Sequence, residues 1–320
     1  MQAFQVTSHD TPPAWRSVAD PAPGPGQALI RVAAAGLNFA DLLMAGGTYQ
    51  DMPPLPLTLG LELAGTVEAL GPGTSGPAPG TRVAALPGSG GLAEFAVVAA
   101  DRLIPIPDTM PFDVAAGFQV AYGTSHIALI QRARLQPGET LLVLGAAGGV
   151  GLTAVEIGAL TGARVIAVAR GAERLSVAQA AGAHHLIDSD AGDLRDKVRA
   201  LGGADVVYDP VGGALFDAGL RCLKPLGRII VIGFASGEVP QIRANHLLVK
   251  NIDVIGVYFG GYSGFRPDLL SQSLSTLIGW HSEGRLSPRI SHLLARDQAQ
   301  RGLDLLRDRA ATGKIVVALR

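Results

Sequence analysis

Four glycines, Gly145, Gly148, Gly149 and Gly151, follow the apolar run Leu141-Leu142-Val143-Leu144, and a helical pattern runs on from Val150 to Leu160. Small residues let backbone N–H groups close on phosphate oxygens, while a helix N-terminus adds unpaired donors and a partial positive charge. Strand, glycine turn and helix in that order are what a dinucleotide pyrophosphate requires. Ala147, Gly148, Gly149, Val150 and Gly151 are therefore expected to hold one. The fingerprint reads Ala146-x-Gly148-x-x-Gly151, with alanine in the first glycine position, and an ordinary tight turn would look the same in isolation. A second place for chemistry lies at the end of the next strand. An acidic residue there would accept hydrogen bonds from an adenine ribose, but the chain has Ala169, followed by Arg170 and Arg174. Guanidinium forks match phosphate oxygens, so the pair suits a 2′-phosphate and NADPH is the expected cofactor. Solvation of a helix start is the alternative role for these arginines. Against it, a cation in a first helical turn opposes the macrodipole.

The elements around the turn alternate. Strand candidates are Arg164 to Ala169, His185 to Ile187, Asp205 to Tyr208, Arg228 to Gly233 and Ile252 to Val257. Between them lie helical patterns at Glu173 to Ala181 (ended by Gly182), Leu194 to Leu201 and Gly213 to Leu223. Apolar strands alternating with ten-residue helices imply an α/β unit with a doubly wound parallel sheet covered on both faces.

Residues before this unit follow another pattern. Pro/Gly turns such as Pro21-Ala22-Pro23-Gly24-Pro25-Gly26 separate short strand candidates at Gln27 to Ala33, Leu63 to Leu70, Arg82 to Ala85 and Ala93 to Val98. A compact β-rich, barrel-like domain is expected. After Tyr258 come a helix pattern near Leu269 to Trp280 and a final strand from Lys314 to Leu319. The simplest architecture returns this tail to the N-terminal domain, leaves the dinucleotide unit as an insert and puts the substrate between the two. Lys314 faces either cofactor phosphates or solvent, and no site role is assigned to it.

Composition narrows the function. A chain of 320 residues is long enough for two domains, and its net charge of −1 offers no basic field for nucleic acid or anionic lipid. No apolar run reaches the length of a membrane span, and no secretory signal precedes Val6, so a cytoplasmic location is expected. Cys222 stands alone, which rules out an internal disulfide, and the seven histidines are scattered, so no metal site is expected. A Walker loop and a Gly-x-Ser-x-Gly elbow are both missing.

Several segments together resemble the medium-chain dehydrogenase/reductase superfamily. They are Gly36-Leu37-Asn38-Phe39-Ala40-Asp41, Gly47-Thr48-Tyr49 and Pro56 through Gly65 with its Gly60-Leu61-Glu62 element. Val120-Ala121-Tyr122-Gly123-Thr124, Tyr208 through Gly213, Gly233-Phe234-Ala235-Ser236-Gly237 and Asn251 through Gly260 are similar to its zinc-free quinone oxidoreductase (zeta-crystallin-like) branch. Zinc-dependent relatives carry histidine where this chain has Leu61. The resemblance covers nearly the whole chain. It implies a Rossmann domain at 119–258 inserted into a GroES-like domain at 1–118 and 259–320. It further implies NADPH-dependent reduction of a quinone or related conjugated carbonyl, in a homodimer. Asn38 and Thr124 would lie near the nicotinamide, Tyr49 would overlook the substrate, and Gly233, Phe234 and Phe259 would contact the cofactor. A donor to the developing oxyanion would be Tyr49 or Asn38. An enoyl-thioester or alkenal reductase, with Tyr49 as proton donor, and an NADPH-binding protein of low turnover are the alternatives.

Overall fold

The computed structural model describes every residue from Met1 to Arg320. The chain divides into two compact units, one of Met1–Val120, Leu274–Gly284 and Pro288–Arg320, the other of Ala121–Ser273 with Arg285–Ser287. The sequence pattern puts the tail's return to the first unit at 259, whereas the structure puts it at Leu274, within one helix. His126 and Ser273 explain the difference: their side chains bond at 2.8 Å and keep the start of that helix in the second unit.

In chain order the first unit has β1 (Gln2–Val6), β2 (Ala14–Ser17), β3 (Gln27–Leu37), α1 (Phe39–Ala45), β4 (Leu57–Thr58), β5 (Glu62–Leu70), β6 (Arg82–Ala85), β7 (Phe95–Ala99), β8 (Leu103–Pro105) and α2 (Phe112–Ala116). The second has α3 (Gln119–His126), whose first two residues belong to the first unit, then β9 (Thr140–Leu144), α4 (Gly149–Leu160), β10 (Arg164–Ala169) and α5 (Gly171–Ala180). It continues with β11 (His185–Asp188), α6 (Leu194–Ala200), β12 (Ala204–Asp209), α7 (Gly213–Cys222), β13 (Leu223–Val231), α8 (Ala244–Lys250), β14 (Asp253–Gly256) and α9 (Tyr262–Phe265). The tail holds α10 (Pro267–Ser282), β15 (Ile290–Ala295), α11 (Ala299–Arg307) and β16 (Lys314–Ala318).

The expected doubly wound sheet is present. Its six strands run parallel in the order β11-β10-β9-β12-β13-β14, so the chain starts at the centre with β9 and winds outward to both sides. All five residues of β9 are buried, as a central strand covered on both faces requires. Helix α4 ends with Gly162 at φ +83° and an Ala163 N–H donating to Gly158 O at 3.0 Å, a left-handed cap that turns the chain into β10. The strand expected from Arg228 begins earlier, at Leu223, because α7 passes into β13 with no loop between them.

The first unit is β-rich as expected. A sheet ordered β15-β16-β3-β5-β6-β8, with β7 also on β3, is joined by a smaller sheet ordered β2-β1-β4. Strand β3 is its spine, pairing antiparallel with β5, β7 and β16. Phe4, Ile30, Leu37, Leu63, Val83, Leu303 and Ile315 meet in the core beneath it.

At Gly65, opposite Val32, the β3–β5 pair leaves no room for a side chain: a Cβ would stand 2.2 Å from the Arg31 carbonyl oxygen. Gly65→Ala is expected to lower stability by about 1–3 kcal/mol, the usual cost of overpacking. Gly279→Ala in α10, where a Cβ meets nothing within 4 Å, should instead gain about 0.5–1 kcal/mol of helix propensity. Thermal unfolding of both variants checks the contrast.

Candidate active site

The glycine turn follows β9 in the second unit. Gly145 takes φ +61°, a left-handed backbone that favours glycine, and the Ala146 N–H donates to Val168 O at 2.9 Å, tying the turn to β10. Gly148 is the residue before the first turn of α4 and donates to Gly145 O at 3.0 Å. A Cβ on Gly151 would lie 2.2 Å from that same carbonyl, so the helix can approach the turn only because position 151 is glycine. No acidic residue occupies the first turn of α4, which leaves its positive end uncompensated. The turn therefore fits a dinucleotide diphosphate. Its left-handed residue is Gly145, one position before the Ala146 of the sequence fingerprint, and a template anchored on Ala146 hides it.

Because the sheet is parallel, the loops that leave its strands' C-terminal ends share one edge. Ala169 is buried at the end of β10, and exposed Arg170 starts α5, with half-buried Arg174 one turn later. The carboxylate at the end of β11, Asp188, is a feature that the sequence pattern does not signal. Its Oδ1 accepts the N–H groups of Gly171 at 3.2 Å and Asp190 at 3.0 Å, and these bonds hold it below the usual carboxylate range. Gly233 and Phe234 leave β13 in a loop stitched to the one after β12, with Ala235 N donating to Pro210 O at 3.1 Å and Ser236 N to Val211 O at 2.8 Å. Asp209 accepts the Val211 and Gly212 N–H groups from below, and burial pushes its carboxyl up. Phe234 is over a third exposed, whereas Phe259, beyond β14, is buried.

Thr124 is buried on α3. Its neighbour Ser125 bonds Val150 O at 2.9 Å, Thr153 Oγ1 at 2.8 Å and Tyr208 OH at 3.0 Å, which fixes α3 against the first turn of α4. The structure thus gathers the predicted cofactor residues and Thr124 in the second unit. Asn38 and Tyr49 lie in the first.

Asn38 starts α1, and its side chain belongs to a buried polar cluster. The Lys314 ammonium donates to Leu37 O at 2.8 Å, Asn38 Oδ1 at 2.6 Å and Glu62 Oε1 at 2.7 Å. The Asn38 amide group donates to Glu62 Oε1 at 3.0 Å and Gly36 O at 3.4 Å, while Glu62 Oε2 accepts the Val120 N–H at 2.9 Å. A lysine cannot accept, so the Asn38 atom facing it must be the oxygen, and the amide orientation is settled. Both amide hydrogens are then engaged inside the unit. Asn38 is accordingly a poor donor to an oxyanion, in contrast to the sequence expectation. Lys314, given no role from sequence, faces neither solvent nor phosphate: it is 6% exposed beside a fully enclosed Glu62. Asp41 completes the cluster, accepting the N–H groups of Asn38 and Gly60 at 2.8 and 2.9 Å. Burial pushes its carboxyl up to about 7. Tyr49 sits in the loop after α1 and packs half-buried on the core of this unit. Leu61 places an apolar side chain beside Glu62, and no three His, Cys, Asp or Glu side chains gather where they could hold a metal ion.

Comparison with known proteins bears on all of this. Residues 24–108 match the family described as alcohol dehydrogenase GroES-like domain, and residues 149–275 match zinc-binding dehydrogenase. The chain is 39% identical to quinone oxidoreductase-like protein 2 homolog of Nematostella vectensis over 92% of its own length and 82% of the relative's. It is 37% identical to quinone oxidoreductase-like protein 2 of Bos taurus, covering 92% and 86%. Among solved structures, the quinone oxidoreductase of Thermus thermophilus, determined also in complex with NADPH, superposes with a TM-score of 0.89 at 31% identity over the full length of both chains. The strand order, the glycine cradle and these relatives lead to one assignment: the chain belongs to the medium-chain dehydrogenase/reductase superfamily, in its quinone oxidoreductase-like branch.

Proposed function

We propose that this oxidoreductase is an NADPH-dependent, metal-independent reductase of quinones and related conjugated carbonyls. The observation that carries the reading is the second unit's strand-end edge. There the Gly145–Gly151 cradle fits a diphosphate, and β10 ends on Ala169, where an acid would take the ribose of NAD, with exposed Arg170 next in the chain. The NADPH complex of the Thermus thermophilus relative supports it. Bound NADPH supplies a hydride. The chain's own residues bind, orient and stabilise. Backbone N–H groups at the start of α4 hold the diphosphate, and Arg170 and Arg174 hold the 2′-phosphate. Tyr49 is the donor to the acceptor oxygen as negative charge gathers there, a role the fully engaged Asn38 amide does not fill. The Lys314 ammonium supports metal independence, since a cation brought to the Asn38 oxygen would meet its repulsion. A cytoplasmic location belongs to the same reading. So does a homodimer, for which the unpaired outer edge of β14 is the candidate contact.

The same residues suit an enoyl-thioester or alkenal reductase, which differs in needing a proton from Tyr49. NADPH oxidation followed with a para-quinone, an ortho-quinone and a short enoyl-CoA separates the readings. Turnover confined to the enoyl thioester overturns quinone reduction, and tight NADPH binding without turnover of any acceptor makes the chain a binding protein. Tyr49→Phe is expected to lower quinone kcat about 10²-fold, the usual cost of one lost oxyanion donor, and to leave the NADPH Kd unchanged; quinone reduction left intact would take the donor role away from Tyr49. Arg170→Ala with Arg174→Ala should raise the NADPH Kd about tenfold through lost charge-assisted bonds and leave the NADH Kd almost unchanged. Equal losses for both cofactors would sink the 2′-phosphate assignment.

A further inference from the structure

The Lys314–Glu62 pair is an expensive way to hold strands together. Removing both charges from water costs several kcal/mol per ion, and replacing such a pair by neutral groups of the same size is often harmless to stability. Its bonds point to another use. All three ammonium hydrogens are directed, to Leu37 O, Asn38 Oδ1 and Glu62 Oε1, and the same Glu62 oxygen takes the Asn38 amide. Asn38 is thereby gripped at both ends of its amide, at the base of α1. Asp41, one turn on, ties that base to Gly60. At the other end of the helix, Gly46, Gly47 and Thr48 donate back to Leu42, Met44 and Leu43 carbonyls at 3.0, 3.2 and 2.9 Å, so the chain leaves α1 in a set direction. Tyr49 is the next residue.

We propose that Lys314 and Glu62 are positioning residues for the acceptor-side chemistry: they lock the Asn38 amide, and through the short stem of α1 they fix where Tyr49 stands. The inference rests on the reductase reading for what Tyr49 does, and on the cluster alone for the lock. Neither residue touches an acceptor. Their effect travels through Asn38 and seven residues of helix.

The test uses the full chain loaded with NADPH and the double variant Lys314→Met/Glu62→Gln, which removes both charges together, so that neither partner is left as an ion facing a neutral group. The chain has three asparagines, Asn38, Asn245 and Asn251, so ¹⁵N-asparagine labelling gives three side-chain amide pairs that single substitutions assign. In the wild type the Asn38 pair is expected to be shifted and slow to exchange with water. In the double variant it should collapse toward the shifts of a solvated amide. Acceptor kcat/KM should then fall by about 10²-fold, the scale of a misplaced reacting group. The NADPH Kd should stay within about twofold, because the residues that bind it lie in the other unit. A solvent-like Asn38 pair in the wild type, or one unmoved in the double variant, overturns the lock. Unchanged kcat/KM with a freed amide overturns the positioning role. Losses of Tm, NADPH affinity and kcat in step reduce the pair to a fold element and overturn it too. A wild-type chain that turns over neither quinone nor enoyl thioester defeats the reductase reading instead, and the amide resonances still decide the lock.

Discussion

One carboxylate sets much of the first unit. Glu62 is fully enclosed, and an ion so placed is tolerable only with a counter-charge and its lone pairs satisfied. The counter-charge comes from Lys314, 252 positions later, and Lys314 can deliver it only if β16 lies on β3. Burying Glu62 therefore requires the late part of the chain to return to the early part. The second unit lies in the chain between Glu62 and Lys314, and it is an insert from which the chain returns to the first unit. The β-rich fold and the fixed Asn38 follow from one electrostatic demand.

The second unit answers a different constraint, the approach of backbone to backbone. Gly151 lets α4 come within reach of the Gly145 carbonyl, and Gly158, two turns further along the same face, lets it settle on Leu141 of β9. A helix seated so close aims its N-terminus at the strand-end edge. The parallel order brings the loops after β10, β12, β13 and β14 to the same side. Few charged side chains are needed to make an anion site, since geometry supplies the donors. Even the acids nearby, Asp188 and Asp209, spend themselves on backbone N–H groups.

How far these features are legible in the residues depends on their range. The parallel sheet declares itself because central strands must be continuously apolar, and Leu141 to Leu144 or Ile229 to Val231 have no other reading. The arginines after Ala169 are local, so they too are visible. The lock on Asn38 is not, because nothing near residue 38 or residue 314 signals the other. Lys314 at the head of an apolar strand looks like a solvated end, yet the β16–β3 register carries it inward. Strand β15 and helix α11 escape notice for a related reason. Half-exposed β15 has no clean alternation, and α11 buries only Ala299, Gly302 and Leu303 among Arg301, Asp304 and Arg307.

The β16–β3 pairing also orders events during synthesis. Leu37 leaves the ribosome 277 residues before Lys314, the lysine whose ammonium its carbonyl will accept. Throughout that interval β3 lacks one of its neighbours and Glu62, once made, has no counter-ion, whereas the inserted unit has all six of its strands as soon as Gly256 is made. Domains complete in the order their parts emerge, so here the middle of the chain matures first and the beginning waits. The N-terminal third spends most of translation as an unfinished sheet with an open edge. Whatever shields nascent chains in the cell has its longest work on the residues made first.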